Sequence, residues 1–295
     1  MCKSRSLVAG VTVVAGLVLA MLGSAQHVTG ETQAERARRL MAEDNPFATG
    51  NSVWMEALTY MDVRDRIATG FTTVIVPTGG IEENGPYLVT GKHNVILEAL
   101  CPAIARELGK TLCAPIVKFV PEGNIDPPSA AMYFPGSFSV RDETYQALLE
   151  DIGGSLKQHG FRDIVFIGDS GGNQTGMRAA AKALNHRWDG SGVRAHFIKE
   201  YYSPGWENTE KYTQEILGIA ETKNDGYHDD MWVTAMMMVT DPTSVRYAER
   251  LEAGLASING VDISDREKTI ELGRKMVAWR AAYTADVIRS RLRGQ

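Results

Sequence analysis

The chain has 295 residues, 44% hydrophobic and 23% charged, with 11 Pro and 29 Gly. This is the composition of an ordinary globular protein, and it excludes a disordered tail, a collagen-like repeat and a multi-span membrane protein. Thirty-one Lys and Arg against 36 Asp and Glu give a net charge of −5, and no block of like charge is long enough to track a phosphate backbone, so nucleic acid is not an expected partner.

In chain order, Lys3 and Arg5 precede an apolar run over residues 7–22, followed by Gly23-Ser24-Ala25 and polar Gln26-His27. This is the layout of a secretory signal peptide, residues 1–25, cut after Ala25. The apolar run is shorter than the roughly 20 residues a membrane-spanning helix needs. Cleavage leaves 29 basic against 36 acidic residues, a net −7, and implies a periplasmic or secreted protein with no stable membrane insertion. Of the three Cys, only Cys101 and Cys113 survive. An oxidising compartment permits a disulfide between them without requiring one, and both also read as small buried hydrophobes.

Residues 26–48 are polar and charged, with one short helix expected over 31–41, and read as an arm or tether. Residues 49–295 read as a single domain. Within it, runs 72–76, 94–108 and 112–120 have β-α-β spacing. Phe134-Pro135-Gly136 is a turn signal, and Ser139 is the expected N-cap of a helix that carries Tyr145, Leu148, Leu149, Ile152 and Leu156 at helical spacing. Residues 164–167 are wholly apolar, as in a strand covered on both faces of a parallel sheet. A Gly-rich turn over 168–172 leads into an Ala-rich helix, 193–198 is a further strand, and a long amphipathic helix spans about 266–289. The pattern is one α/β domain with helices on both sheet faces.

In such sheets ligands bind beyond the carboxyl ends of the strands. Two loops hold that position, 78–94 and 168–173, and a third stretch, His228-Asp229-Asp230, opens a helix. The first reads Gly79-Gly80-Ile81-Glu82-Glu83-Asn84-Gly85-Pro86-Tyr87-Leu88 and runs on to Lys92-His93-Asn94; the second reads Gly168-Asp169-Ser170-Gly171-Gly172-Asn173.

With Phe134-Pro135-Gly136-Ser137, His159-Gly160-Phe161-Arg162 and His228 followed by Thr234, these motifs resemble, in order, those of the creatininase family of metal-dependent amidohydrolases. The resemblance runs from about residue 52 to the C-terminus. It implies a three-layer α/β/α sandwich with a mainly parallel sheet, a homo-oligomer, often a hexamer, and a small-molecule substrate carrying an amide or cyclic amide. Where the family places metal ligands, this chain keeps Glu82 but has Asn84 for His, His93 for Asp, Ser170 for His and Val233 for Glu, so a two-metal site does not carry over.

A neutral imidazole offers one lone pair and cannot bridge two metals as a carboxylate does. The expectation is therefore one divalent ion, Zn or Mn, held by Glu82 and His93 with Asp169 or His228, and activating a water. Asn84 would hold the substrate carbonyl or the water. Tyr87 and Asn173, inside the matched motifs, and Trp206 and Trp232 are the expected substrate-lining residues. Each has a plainer reading: Glu82 caps a helix or pairs with Lys92, His93 merely starts a helix, Asp169 braces the Gly-rich turn, and the tryptophans are core.

Two further readings stand beside it. Gly168-Asp169-Ser170-Gly171-Gly172 fits the nucleophile-elbow pattern, with Ser170 attacking, His228 as base and Asp225 as orienter. Alternatively, loss of the family's ligands leaves a pseudoenzyme that binds a small molecule or partner. Export makes the first testable prediction: protein recovered from the periplasm or medium begins at Gln26 on N-terminal sequencing, and a retained Met1 in a membrane fraction contradicts it.

Overall fold

A computed structural model describes residues 31–294, so the expected signal segment lies outside the described residues. The chain divides into two units, Met1–Asp44 and Asn45–Gln295. The described part of the first is helix α1 (Gln33–Ala42), started by a reciprocal capping box between Thr32 and Glu35.

The second unit runs α2 (Tyr60–Ala68), β1 (Thr73–Thr78), α3 (Lys92–Leu108), β2 (Thr111–Cys113), α4 (Asp142–Gln158), β3 (Asp163–Gly168), α5 (Asn173–Arg187), β4 (Arg194–Phe197), α6 (Gly205–Glu215), α7 (Met231–Thr240), α8 (Tyr247–Glu252), the two-residue strands β5 (Ser257–Ile258) and β6 (Val261–Asp262), and α9 (Arg266–Arg293). The first four strands form one parallel sheet in the order β2-β1-β3-β4.

Strand side chains alternate between faces, and both faces are apolar. Ile75, Cys113, Val165 and Ile167 join residues of α3, α7 and α9 in one core. Val74, Val76, Leu112, Ile164 and Phe166 join Tyr145 and Leu149 of α4 and Met177, Ala180 and Leu184 of α5 in the other. Covering both faces is what a parallel sheet with helical crossovers requires, and it makes the expected α/β sandwich. Among the described residues no helix is long and apolar enough to cross a membrane. Cys101 of α3 and Cys113 of β2 face each other as buried free thiols.

Two local expectations are corrected, and both corrections shape the site. The run 112–120 is not one strand: the β2 ladder stops at Cys113, before Pro115, which has no N–H to donate. The chain stays tied to β1 through Val117 N to Pro77 O and Gly79 N to Val117 O, both 2.9 Å, and then turns out to deliver Glu122. Ser139 is not the N-cap of α4; Arg141 is, with Asp142 and Glu143 in the first turn, where acids complement the helix dipole. Ser139 Oγ instead accepts from Glu122 N at 2.9 Å and donates to Gly123 O at 2.6 Å.

Register positions the crevice. Thr78 pairs with Gly168, so the loops after β1 and β3 leave the sheet side by side, at the point where successive connections run to opposite sides of β1. Over that edge lies α9, whose Gly273 packs against α7: a Cβ there would stand 2.0 Å from Ala235 O. Helix propensity alone favours Ala over Gly by about 1 kcal/mol. Here the close approach reverses the sign, so Gly273→Ala is expected to lower the thermal midpoint, and a raised midpoint in a melting experiment would refute the packing argument.

Candidate active site

The exit of β1 is stapled by two buried asparagines. Asn94 Nδ2 donates to Gly80 O at 2.9 Å while its Oδ1 accepts from Gly80 N at 3.3 Å. Asn173 Nδ2 donates to Thr78 O, Thr78 Oγ1 and Gly79 O at 2.8–2.9 Å. Asn173, expected to face substrate, therefore spends its donor on the backbone of the strand exit.

Held in this way, the loop projects Glu82 toward the first turn of α3. His93 Nε2 lies 2.8 Å from Glu82 Oε1, and His93 Nδ1 lies 2.8 Å from Asp169 Oδ2. The Lys92 ammonium, only 1% exposed, sits 3.1 Å from the same Glu82 oxygen. Asp169 Oδ1 accepts from Tyr201 OH at 2.7 Å and from Arg280 Nη2 at 3.4 Å. The result is a buried row of alternating sign, Lys92, Glu82, His93, Asp169, Arg280.

Each charge in the row is set by its neighbours. Burial pushes the Glu82 carboxyl up, but the hydrogen bond and charge of His93, with Lys92, outweigh it and hold the group at about 2. Burial and Lys92 push His93 down, yet the hydrogen bonds to Asp169 and Glu82 prevail and raise it. Asp169 is pushed up by burial and brought below its ordinary value by His93 and Arg280. A helix N-terminus disfavours cations, so Lys92 and His93 in the first turn of α3 depend on these two carboxylates.

Aromatic rings close the far side. The Arg280 guanidinium lies 4.5 Å from the Tyr201 ring centroid, 5.7 Å from that of Trp206 and 5.8 Å from that of Trp232. Its Nε and Nη1 have no hydrogen-bond partner, and the ring faces supply the compensating electrostatics. Trp206 stands at 6.0 Å from the His93 ring and edge-on to Trp232 at 4.8 Å. Trp206 is half-buried at the site, whereas Trp232 is buried behind it.

On the near side is a residue that sequence reasoning missed. Glu122 is 6% exposed; its Oε2 accepts from Ser170 Oγ at 3.0 Å and its Oε1 has no partner. A Cβ on Gly80 would stand 2.1 Å from that Oε1 and 3.4 Å from the His93 ring, so the missing side chain at Gly80 is what lets the carboxyl lie beneath the loop. Burial, reinforced by the Glu82 charge, raises Glu122 to about 7. The signal is in the sequence: Glu122 follows the second strand-like run, 112–120, whose carboxyl end borders the same crevice as the loops 78–94 and 168–173.

The remaining expected residues are placed as follows. Ser170 Oγ donates to Glu122 at 3.0 Å and not to His228, the base that the nucleophile reading assigned to it. His228 is 63% exposed with Nδ1 4.0 Å from Glu82 Oε1, at the rim and not in the row. Asn84 Nδ2 donates to Glu82 O and Val89 O, leaving only its buried Oδ1 free, so it is not poised as the expected donor. Tyr87 is taken up by Tyr227, edge-on at 6.1 Å, and by the Arg250 guanidinium 4.1 Å over its ring.

Glu82, His93 and Asp169 are thus brought together as expected of metal ligands, but their donor chemistry does not fit a divalent ion. Both His93 nitrogens are committed to carboxylates, and Glu82 already faces two cationic partners. Among the described residues no group of three or more His, Cys, Asp or Glu is arranged to hold a metal. An ion would also meet the buried Lys92 ammonium. Two like unit charges 4 Å apart repel by about 4 kcal/mol at an effective dielectric near 20, and a divalent ion doubles that.

The creatininase family model, described as creatinine amidohydrolase, matches residues 56–288. A creatinine amidohydrolase of Pseudomonas putida is 25% identical over 116 residues, 39% of this chain and 44% of the relative's own length. A solved Mn creatininase aligns with a TM-score of 0.62 at 18% identity, covering 82% of this chain and 99% of that one. A mutant creatininase complexed with creatine aligns at 0.60, again with 18% identity and the same coverage. At these identities the structural likeness carries the fold; a divalent metal and a small-molecule ligand are features named for those neighbours.

The row predicts an asymmetric cost of breaking it. Asp169→Asn leaves the buried Arg280 uncompensated and is expected to lose about 3–5 kcal/mol in urea unfolding. Since Glu82 is held at about 2 against an ordinary 4.5, its stabilisation is present above pH 4.5 and is lost as pH falls toward 2. Acid titration of Glu82→Gln should lack that part of the transition, and an unchanged acid limb would argue against the row.

Proposed function

The chain belongs to the creatininase family, and from that membership and the state of Glu122 we propose that it hydrolyses the C–N bond of a small amide or cyclic amide. The observation that carries this reading is a buried carboxyl at about 7, with one oxygen unpartnered, beside the buried charge row. A group that titrates near neutrality serves best as a general base and acid.

In the proposed reaction ionised Glu122 takes a proton from water as the water oxygen bonds to the amide carbon. The proton then passes to the leaving nitrogen as the C–N bond breaks, giving a carboxylate and an amine. Lys92 and His93 supply fixed positive charge to the developing oxyanion, and Trp206 covers the substrate's apolar face. Ser170 orients Glu122 through its hydrogen bond. The protein acts after export and as a homo-oligomer, the latter read directly by light scattering on purified protein. A second reading, a binding site without turnover, is favoured by the way Lys92, Glu82, His93 and Asp169 already satisfy one another.

A panel of small linear and cyclic amides tests the proposal. Hydrolysis should rise with pH through about 7 and then level. Glu122→Gln should lose about 10²–10⁴-fold in kcat, whereas Ser170→Ala should stay within about tenfold, since a lost nucleophile costs far more. Independently of substrate, the raised Glu122 destabilises the fold as pH rises through about 7, so Glu122→Gln should be more stable than wild type at pH 8 and not at pH 5. Ligand binding on that panel without turnover would leave the binding-site reading.

A further inference from the structure

Two cations of the chain itself occupy the place where a bound ion would be sought. Lys92 Nζ and His93 Nε2 converge on one oxygen, Glu82 Oε1, at 3.1 and 2.8 Å, and the other His93 nitrogen is 2.8 Å from Asp169. A ring that donates through both nitrogens to carboxylates has no lone pair left for a metal. Lys92 is buried, and Glu82 is the only carboxylate within ion-pair range of it among the described residues. Asn84 turns its amide nitrogen to the loop backbone and Ser170 its hydroxyl to Glu122, which leaves single oxygens, Asn84 Oδ1 and Glu122 Oε1, unpartnered and no free imidazole or thiolate beside them.

We propose that the Lys92 ammonium and the doubly donating His93 ring are built-in substitutes for divalent metal ions, so that this site is assembled and works without one. The inference concerns the site assigned above as hydrolytic, but its test does not depend on turnover. The Glu82 carboxylate is neutralised from within, and the geometry that metal binding would impose is imposed by hydrogen bonds from the first turn of α3. The cations remain in place whatever ions the surrounding compartment supplies.

The test uses purified full chain, incubated with Mn²⁺ or Zn²⁺, dialysed, and read by elemental analysis and by thermal melting with and without a chelator. The expected result is no retained stoichiometric metal and a midpoint that moves by less than about 1 °C, whereas an ion at 100-fold its Kd would raise it by roughly 5–10 °C in a domain of this size. Lys92→Met should lower the midpoint by several degrees even in chelator, because it removes a partner of Glu82 that no metal replaces. About one ion per wild-type chain, lost in His93→Ala, would overturn the proposal. So would a midpoint of wild type that collapses on chelation. Absence of amidase activity, by contrast, would count against the hydrolytic reading and leave this result intact.

Discussion

A buried ion pair is expensive to make, and this protein sets five charged groups in a line, four of them buried and Glu82 partly so. Taking each ion out of water costs several kcal/mol even after relaxation. The row from Lys92 through Glu82, His93 and Asp169 to Arg280 persists because every charge lies between, or next to, charges of the opposite sign at 2.8 to 3.4 Å. Removing a terminal partner exposes the next member to the full desolvation cost, so the row behaves as one unit. The remaining architecture keeps water and competing partners away from it.

Four separate parts of the fold supply that row. The loop after β1 carries Glu82, the first turn of α3 carries Lys92 and His93, and the end of β3 carries Asp169, all brought level by the pairing of Thr78 with Gly168. Arg280 arrives from α9, made possible by the close contact at Gly273 two turns earlier on the same helix. The aromatic wall of Tyr201, Trp206 and Trp232 then takes the guanidinium edges that hydrogen bonds do not reach. Glu122 stands outside this row of opposite charges, with an oxygen left open. An acid that is not tied down beside charges that are is a division between a reactive group and a rigid electrostatic frame.

Residue types were legible where the local pattern specified them. Glu82, His93 and Asp169 were visible as unusual groups at strand-end loops, and the structure sets His93 2.8 Å from each of the two carboxylates. What they do together was not legible, since a carboxylate and an imidazole form a metal site or a hydrogen-bonded row depending on what occupies the next few ångströms. Lys92 decided between the two, and by sequence it was only a plainer partner for Glu82. Ser139 carried the right residue type for an N-cap and was drawn instead to the backbone around Glu122, a competitor 17 residues away.

The sequence by itself determined the layers. Wholly apolar strands, helical spacing between them and Gly or Pro at their ends leave a parallel sheet with two covered faces, because hydrophobic burial is read from periodicity within a dozen residues. Only the tertiary structure decided the chemistry of the site. Asp169 and Arg280 are 111 positions apart and Ser170 and Glu122 are 48 apart, and charge and hydrogen bonding act through space over a few ångströms, with no trace in local spacing of which distant group will be the one in reach.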